Sequence, residues 1–210
     1  MATKAQLLIA LAVLAFASSA TAAEYTVVAC NGQAAATGGW TLFASGPQAA
    51  LSESCASGGA MTAILRGNQS PVAGNAGWQV SAPANTAIAG ATLYRKVGVA
   101  GTGYGYVARA LAPAAANNAV LESCSGPSGC KQEVARTSFG WRAARADLHR
   151  LQAYVQCVAP CQALSASEAA AVRVSRVDLA LSDTKAPTIA SGPSSAMFAA
   201  SGPVSGVQSI

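Results

Sequence analysis

The stretch AVRVSRVDLALS, residues 171–182, decides the fold. Val177, Leu179 and Leu181 alternate with Asp178, Ala180 and Ser182, the period of a strand with one buried face. Val172 and Val174 alternate as well, but in the opposite phase. One strand can bury all five only if an extra residue separates its halves, because a one-residue slip exchanges the two faces. The sequence therefore predicts a β-bulge near Ser175 and Arg176.

Working outward, the same short alternating runs recur. Strands are expected at 24–30 (EYTVVAC), 40–44 (WTLFA), 61–66 (MTAILR), 77–82 (GWQVSA), 88–99 (IAGATLYRKVGV), 104–111 (YGYVARAL), 119–124 (AVLESC), 150–157 (RLQAYVQC) and 171–182. Between them lie ATGG, SGPQ, ASGG, GNQSP, GVAGTG and SGPSG, clusters of turn residues. Many short strands separated this way point to an antiparallel β-sandwich, not to alternating helices and strands. One segment, FGWRAARADLHRLQAYV, is ambiguous: Trp141, Ala144, Leu148, Leu151 and Val155 also fit a helical face. Because Leu151, Ala153, Val155 and Cys157 alternate with Gln152, Tyr154 and Gln156, a strand is expected from about Leu148, after a turn or short helix. A second short helix is expected over 164–171, with Ser165 capping and Glu168 three residues later.

The N-terminus reads as an export signal. MATK carries one positive charge, AQLLIALAVLAFA is an apolar run, and Ala20 and Ala22 stand in an A-x-A arrangement. The run is shorter than the ~18–20 residues that span a bilayer, so cleavage is expected near residues 22–23. The sandwich is then expected over 24–183, in a protein that is secreted, extracellular or at the cell surface and free of the membrane once the signal is removed.

All six cysteines lie beyond that cut, at 30, 55, 124, 130, 157 and 161. An even number in an exported chain argues for disulfides. Proximity pairs Cys124 with Cys130 and Cys157 with Cys161, each around a turn-rich segment, and leaves Cys30 with Cys55. A zinc site from the last four does not have the usual C-x2-C spacing, so neither metal nor cofactor is expected.

Chemistry-bearing motifs are few. The single histidine, His149, has no G-x-S-x-G elbow to serve, and no H-E-x-x-H or EF-hand loop is present. The eight acids are scattered without a signature for a hydrolytic pair, and no catalytic residue is assigned. GTGYGY (101–106) reads as a hairpin turn, not a phosphate loop. Removing Lys4 leaves a net charge of +4 from the +5 of the whole chain. Arg136, Arg142, Arg145 and Arg150 are its only basic concentration, too few for nucleic acid, and read as a solvated or anion-facing surface. Tyr104 and Tyr106, two apart on a strand, share a face; with Arg109 and Trp78 they are the candidate sugar-binding surface. The Asn68-Gln69-Ser70 sequon is followed by Pro71 and is discounted.

WQVSAPANTAIAGATLYR (78–95), the late Cys-x3-Cys after an alternating strand and the closing VDLALSDTKAPTI resemble secreted bacterial surface proteins with a jelly-roll, concanavalin A-like domain of unknown function. The resemblance implies a β-sandwich of the lectin and laminin G kind and carries over no catalytic residue. Three functions are weighed: a carbohydrate-binding or adhesive module whose partner is a polysaccharide or cell-wall glycan, a structural unit without ligand, and a glycan hydrolase on the same fold.

In such proteins a D-x-x-A-P linker leads into further immunoglobulin-like sandwiches. Asp183 to Pro187 fits that linker, and 184–210 is expected to be linker and tail, its apolar residues Ile189, Met197, Phe198, Val204, Val207 and Ile210 copying the start of a following sandwich. Truncation after Pro187 should leave the melting temperature nearly unchanged; a fall of more than several degrees would assign the tail to the domain.

Overall fold

The long strand read above is the axis of the first sheet. The computed structural model describes residues 23–67, 73–112, 118–130, 137–143, 147–162, 168–185, 188–191 and 198–201. In chain order its strands are β1 (Glu24–Ala29), β2 (Trp40–Ser45), β3 (Ala49–Glu53), β4 (Met61–Leu65), β5 (Gly74–Ser81), β6 (Thr86–Val99), β7 (Thr102–Leu111), β8 (Asn118–Ser125), β9 (Thr137–Arg142), β10 (Arg150–Gln162) and β11 (Ala170–Asp183). All strand pairs are antiparallel, in two sheets. The first has the order β3-β4-β11-β6-β9, with β1 also on β11; the second is β2-β5-β10-β7-β8. Counting β4 to β11 as strands one to eight, the orders become 1-8-3-6 and 2-7-4-5, the winding of a jelly roll. The all-β sandwich expected from the sequence is the fold observed.

The expected bulge is present. β11 loses register between Val174 and Arg176, and the extra residue, Ser175, donates from Oγ to the Tyr94 carbonyl at 3.2 Å. Val172, Val174, Val177, Leu179 and Leu181 are consequently all buried. The bulge also divides the edge of β11. β4 pairs with its N-terminal half, from Ala170 to Val174, and β1 with its C-terminal half, from Val177 to Ser182. Where the two short strands approach each other, Cys30, which follows β1 at a left-handed φ of 55°, is joined to Cys55, which precedes β4.

The other disulfides are Cys124–Cys130, around the single helical turn Gly126–Gly129, and Cys157–Cys161, across an irregularity late in β10. The sheets meet over a core built from both, with Met61, Leu65, Ile88, Leu93 and Val172 from one and Trp40, Val80, Leu151 and Val155 from the other. Trp78 crosses it, its Nε1 donating to the Thr62 carbonyl at 3.3 Å.

Two strands were not expected. β3 is a short, alanine-rich edge strand, and β9 occupies the segment whose helical periodicity competed with its strand pattern. The helix expected over 164–171 is corrected in its last residues: Ala170 and Ala171 open β11, pairing with Val99 and Gly98 on one side and with Leu65 and Ile64 on the other. Its residues 164–167, the leader over 1–22 and the sequon at 68–70 lie outside the described residues. Beyond the sandwich, β12 (Thr188–Ser191) and β13 (Phe198–Ser201) form a two-stranded antiparallel hairpin in a separate unit of the chain. Among the described residues no helix is long and apolar enough to cross a membrane.

Two stability experiments follow from this arrangement. Deleting Ser175 should abolish folding, since it turns either two or three of the five buried side chains to solvent, whereas Ser175→Ala should cost only about 1 kcal/mol, one hydrogen bond. Loop lengths rank the disulfides: separations of 25, 6 and 4 residues give about 3.5 kcal/mol for Cys30–Cys55 and about 2 for each of the others. Paired serine replacements should lower the melting temperature by about 10 °C for the first and about 5 °C for the others. A larger loss at 157 and 161 would overturn the loop-length ranking.

Candidate functional site

Each strand of the second sheet sends alternate side chains into the core, so the opposite parity builds its outer face. On β10 Leu151, Ala153, Val155 and Cys157 are buried inward, which leaves Arg150, Gln152, Tyr154 and Gln156 outward. Pairing extends these into rows across the five strands. One row is Thr41–Gln79–Gln152–Arg109–Val120, and the next is Phe43–Gly77–Tyr154–Val107–Ser123.

These rows form one connected cluster. Arg109 Nε donates to Gln152 Oε1 at 2.8 Å, and Gln152 Nε2 donates to Gln79 Oε1 at 2.8 Å. The Arg109 guanidinium carbon lies 5.0 Å from the centroid of the Tyr154 ring, and Phe43 meets that ring edge-on with centroids 5.8 Å apart. Gly77 makes the arrangement possible, because a Cβ there would stand 2.3 Å from the Tyr154 Cβ. The centre is tight: Gln152 and Tyr154 are each 6% exposed. Toward the rim Phe43, Gln79 and Arg109 are half-buried, and Val120 is 61% exposed.

At one end of the face a depression of about 330 Å³ is lined by Tyr104, Gly105, Ser125, Gln156 and Val158, among others. A Cβ on Gly105 would come within 2.8 Å of the Cys124 carbonyl oxygen, so the close passage of β8 requires glycine there.

The four residues singled out from the sequence are not brought together. Tyr104 and Tyr106 do share a face, but it is the core face, where each is 1% exposed, and Trp78 is 5% exposed. Their expected stacking platform is therefore absent. The reason is the strand period: Arg109, three residues from Tyr106, points the other way. Only Arg109 stands in the outer cluster, and Tyr104 contributes to the wall of the depression. Gln79, Gln152, Tyr154 and Phe43 were missed. The alternation of Gln152, Tyr154 and Gln156 against buried neighbours was the signal that could have found them.

Tyr106 instead meets a charged pair between the sheets. Arg95 of β6 is ion-paired with Glu122 of β8 and lies over Phe139. Burial, and then the Glu122 carboxylate, push the Tyr106 phenol up, with Arg95 partly offsetting them. Burial disfavours the Arg95 charge, but its hydrogen bond and attraction to Glu122 outweigh this and hold the guanidinium above its ordinary value. This pair is an inter-sheet clasp on the inner side of β8. Among the described residues no group of three His, Cys, Asp or Glu is placed to hold a metal ion.

No family model and no curated protein matches the sequence. Among solved structures, a variant of a family 29 carbohydrate binding module is similar at 10% identity, covering 75% of this chain and 92% of its own, with a TM-score of 0.47. A second variant of such a module, complexed with mannohexaose, is 11% identical over 75% and 92%, with a TM-score of 0.46. A family 29 module from Piromyces equi is 9% identical over 75% and 91%, with a TM-score of 0.43.

Proposed function

We propose that the chain is a secreted, non-catalytic carbohydrate-binding module that holds a glycan across the outer face of the β2-β5-β10-β7-β8 sheet. The observation that carries this reading is the hydrogen-bonded row Arg109–Gln152–Gln79 beside the Tyr154–Phe43 pair. Sugars present hydroxyls in the ring plane and C–H groups on the ring faces. Amides and guanidinium groups meet the former, since each supplies paired donors or a donor with an acceptor. Aromatic edges and an exposed aliphatic side chain such as Val120 meet the latter.

The row is also directional. Gln152 uses its acceptor on Arg109 and a donor on Gln79, so donor capacity is left at both ends, on the Arg109 Nη nitrogens and the Gln79 amide. The cluster is held before any ligand arrives, which reduces the ordering cost of binding. The same tightness of Gln152 and Tyr154 is what favours a second reading, a structural unit of a surface protein in which these contacts serve only the fold. Hydrolysis by two carboxylates finds little on this face: Glu122 is the only acid on the five strands, and it pairs inward with Arg95.

Retention of the mature protein on a glycan array and on insoluble polysaccharides separates these readings. Binding to at least one glycan is expected, with Gln152→Ala weakening it about tenfold, the worth of one or two hydrogen bonds. Gly77→Ala should weaken it further, because Tyr154 must move. Failure to retain any polysaccharide or cell-wall fraction would leave only the structural reading.

A further inference from the structure

We infer that the glycan this face takes is an acidic one, a polysaccharide whose sugars carry carboxylates, with Arg109 and Arg150 as the residues that recognise them. The inference rests on the carbohydrate reading above and adds the chemical class of the ligand.

It starts from a contrast between the two sheets. The strands of the first carry four arginines, and each has a carboxylate partner: Arg95 with Glu122, Arg142 with Glu24, Arg173 with Glu168, and Arg176 with Asp178. The strands of the second carry two, Arg109 and Arg150, and neither has one among the described residues. Their one acid, Glu122, pairs in register with Ala108, a buried residue, and so faces inward to Arg95. Among the described residues, the strands of this face thus present outward two cations, several amides and hydroxyls, and no carboxylate.

The two arginines are also neighbours. Arg109 is directly opposite Gln152, and Arg150 is two residues before Gln152 on the same face, directly opposite Leu111 and Ser81. That makes Arg109 and Arg150 a diagonal pair, with side chains starting about 7–8 Å apart. Two cations therefore share one face whose own strands supply them no carboxylate. A neutral sugar would use these guanidinium groups only as hydrogen-bond donors, whereas a ligand carboxylate also supplies the anion that the strands of this face lack.

Arg109 is moreover pre-oriented. Its Nε is committed to a neutral amide and its plane lies by the Tyr154 ring, so the ion keeps its full charge while losing its freedom. The Nη nitrogens are left for a ligand, and a planar guanidinium matches a carboxylate with two parallel hydrogen bonds. Arg150 is exposed at the start of β10 and supplies a second contact. A polymer with a carboxylate on successive sugars can engage both arginines at once, which multiplies two modest contacts.

The test is binding of the mature chain to polygalacturonate and alginate, each against its methyl ester, which keeps the backbone and removes the charge. Arg109→Gln and Arg150→Gln are compared with Lys96→Gln, the same charge change on the other sheet. Binding to the acids is expected to be about tenfold tighter than to the esters, the scale of one charge-assisted hydrogen bond. It should weaken strongly at about 1 M salt, where screening leaves only ~3 Å of range. Each of the two arginine variants should remove most of the preference and Lys96→Gln none of it; should Arg109→Gln misfold, the exposed Arg150→Gln decides alone. Equal binding of acid and ester, still sensitive to Gln152→Ala, would overturn the acidic class and leave the carbohydrate reading standing. A preference for acid that both arginine variants keep would overturn the assignment to this face. Retention of no acid and no ester would overturn both readings together.

Discussion

The extra residue at Ser175 is the constraint on which the sandwich depends. Without it β11 can offer the core only half its length, and with it a single strand closes the roll against β4 while leaving its second half for β1. Buried apolar surface, not backbone pairing, dictates this: hydrogen bonds form in either phase, but only one phase in each half buries the valines and leucines. The Cys30–Cys55 bridge sits where β1 and β4 approach each other beside the bulge. It thereby fastens the two strands that share β11.

The division of labour between the sheets follows. The first holds the paired charges and the bulge. The second is simpler, with near-continuous register over β5, β7 and β10, and that regularity aligns side chains into rows. Its inner side chains, Trp78, Tyr104 and Tyr106 among them, fill the core, and its outer ones pack against one another in the cluster around Gln152 and Tyr154. Where the outer face needs room, glycine supplies it, at Gly77 beneath Tyr154 and at Gly105 beside β8.

Much of the fold was legible in the sequence because apolar alternation is a direct record of burial. The phase change in β11 is the clearest case, and the close cysteine pairs are another. β3 escaped because alanine records burial weakly, and β9 because Trp141 and its neighbours fit two periods at once. The site was less legible for a different reason. Aromatic residues mark both cores and binding faces, and Tyr104 and Tyr106 were assigned to the wrong side although the odd spacing to Arg109 already separated them. The cluster that does form joins residues from β2, β5, β7 and β10, and no local window contains Phe43, Gln79, Arg109 and Tyr154 together.

Rows of outer side chains on an antiparallel sheet have a consequence for how such a protein diversifies. Thr41, Gln79, Gln152, Arg109 and Val120 stand in one line, a strand apart at intervals of about 4.8 Å, and each is flanked along its own chain by residues of the other parity. Substitution along that line leaves the core composition untouched. A laboratory library confined to these five positions would therefore vary the outer face while leaving the inward-facing residues of the same strands as they are.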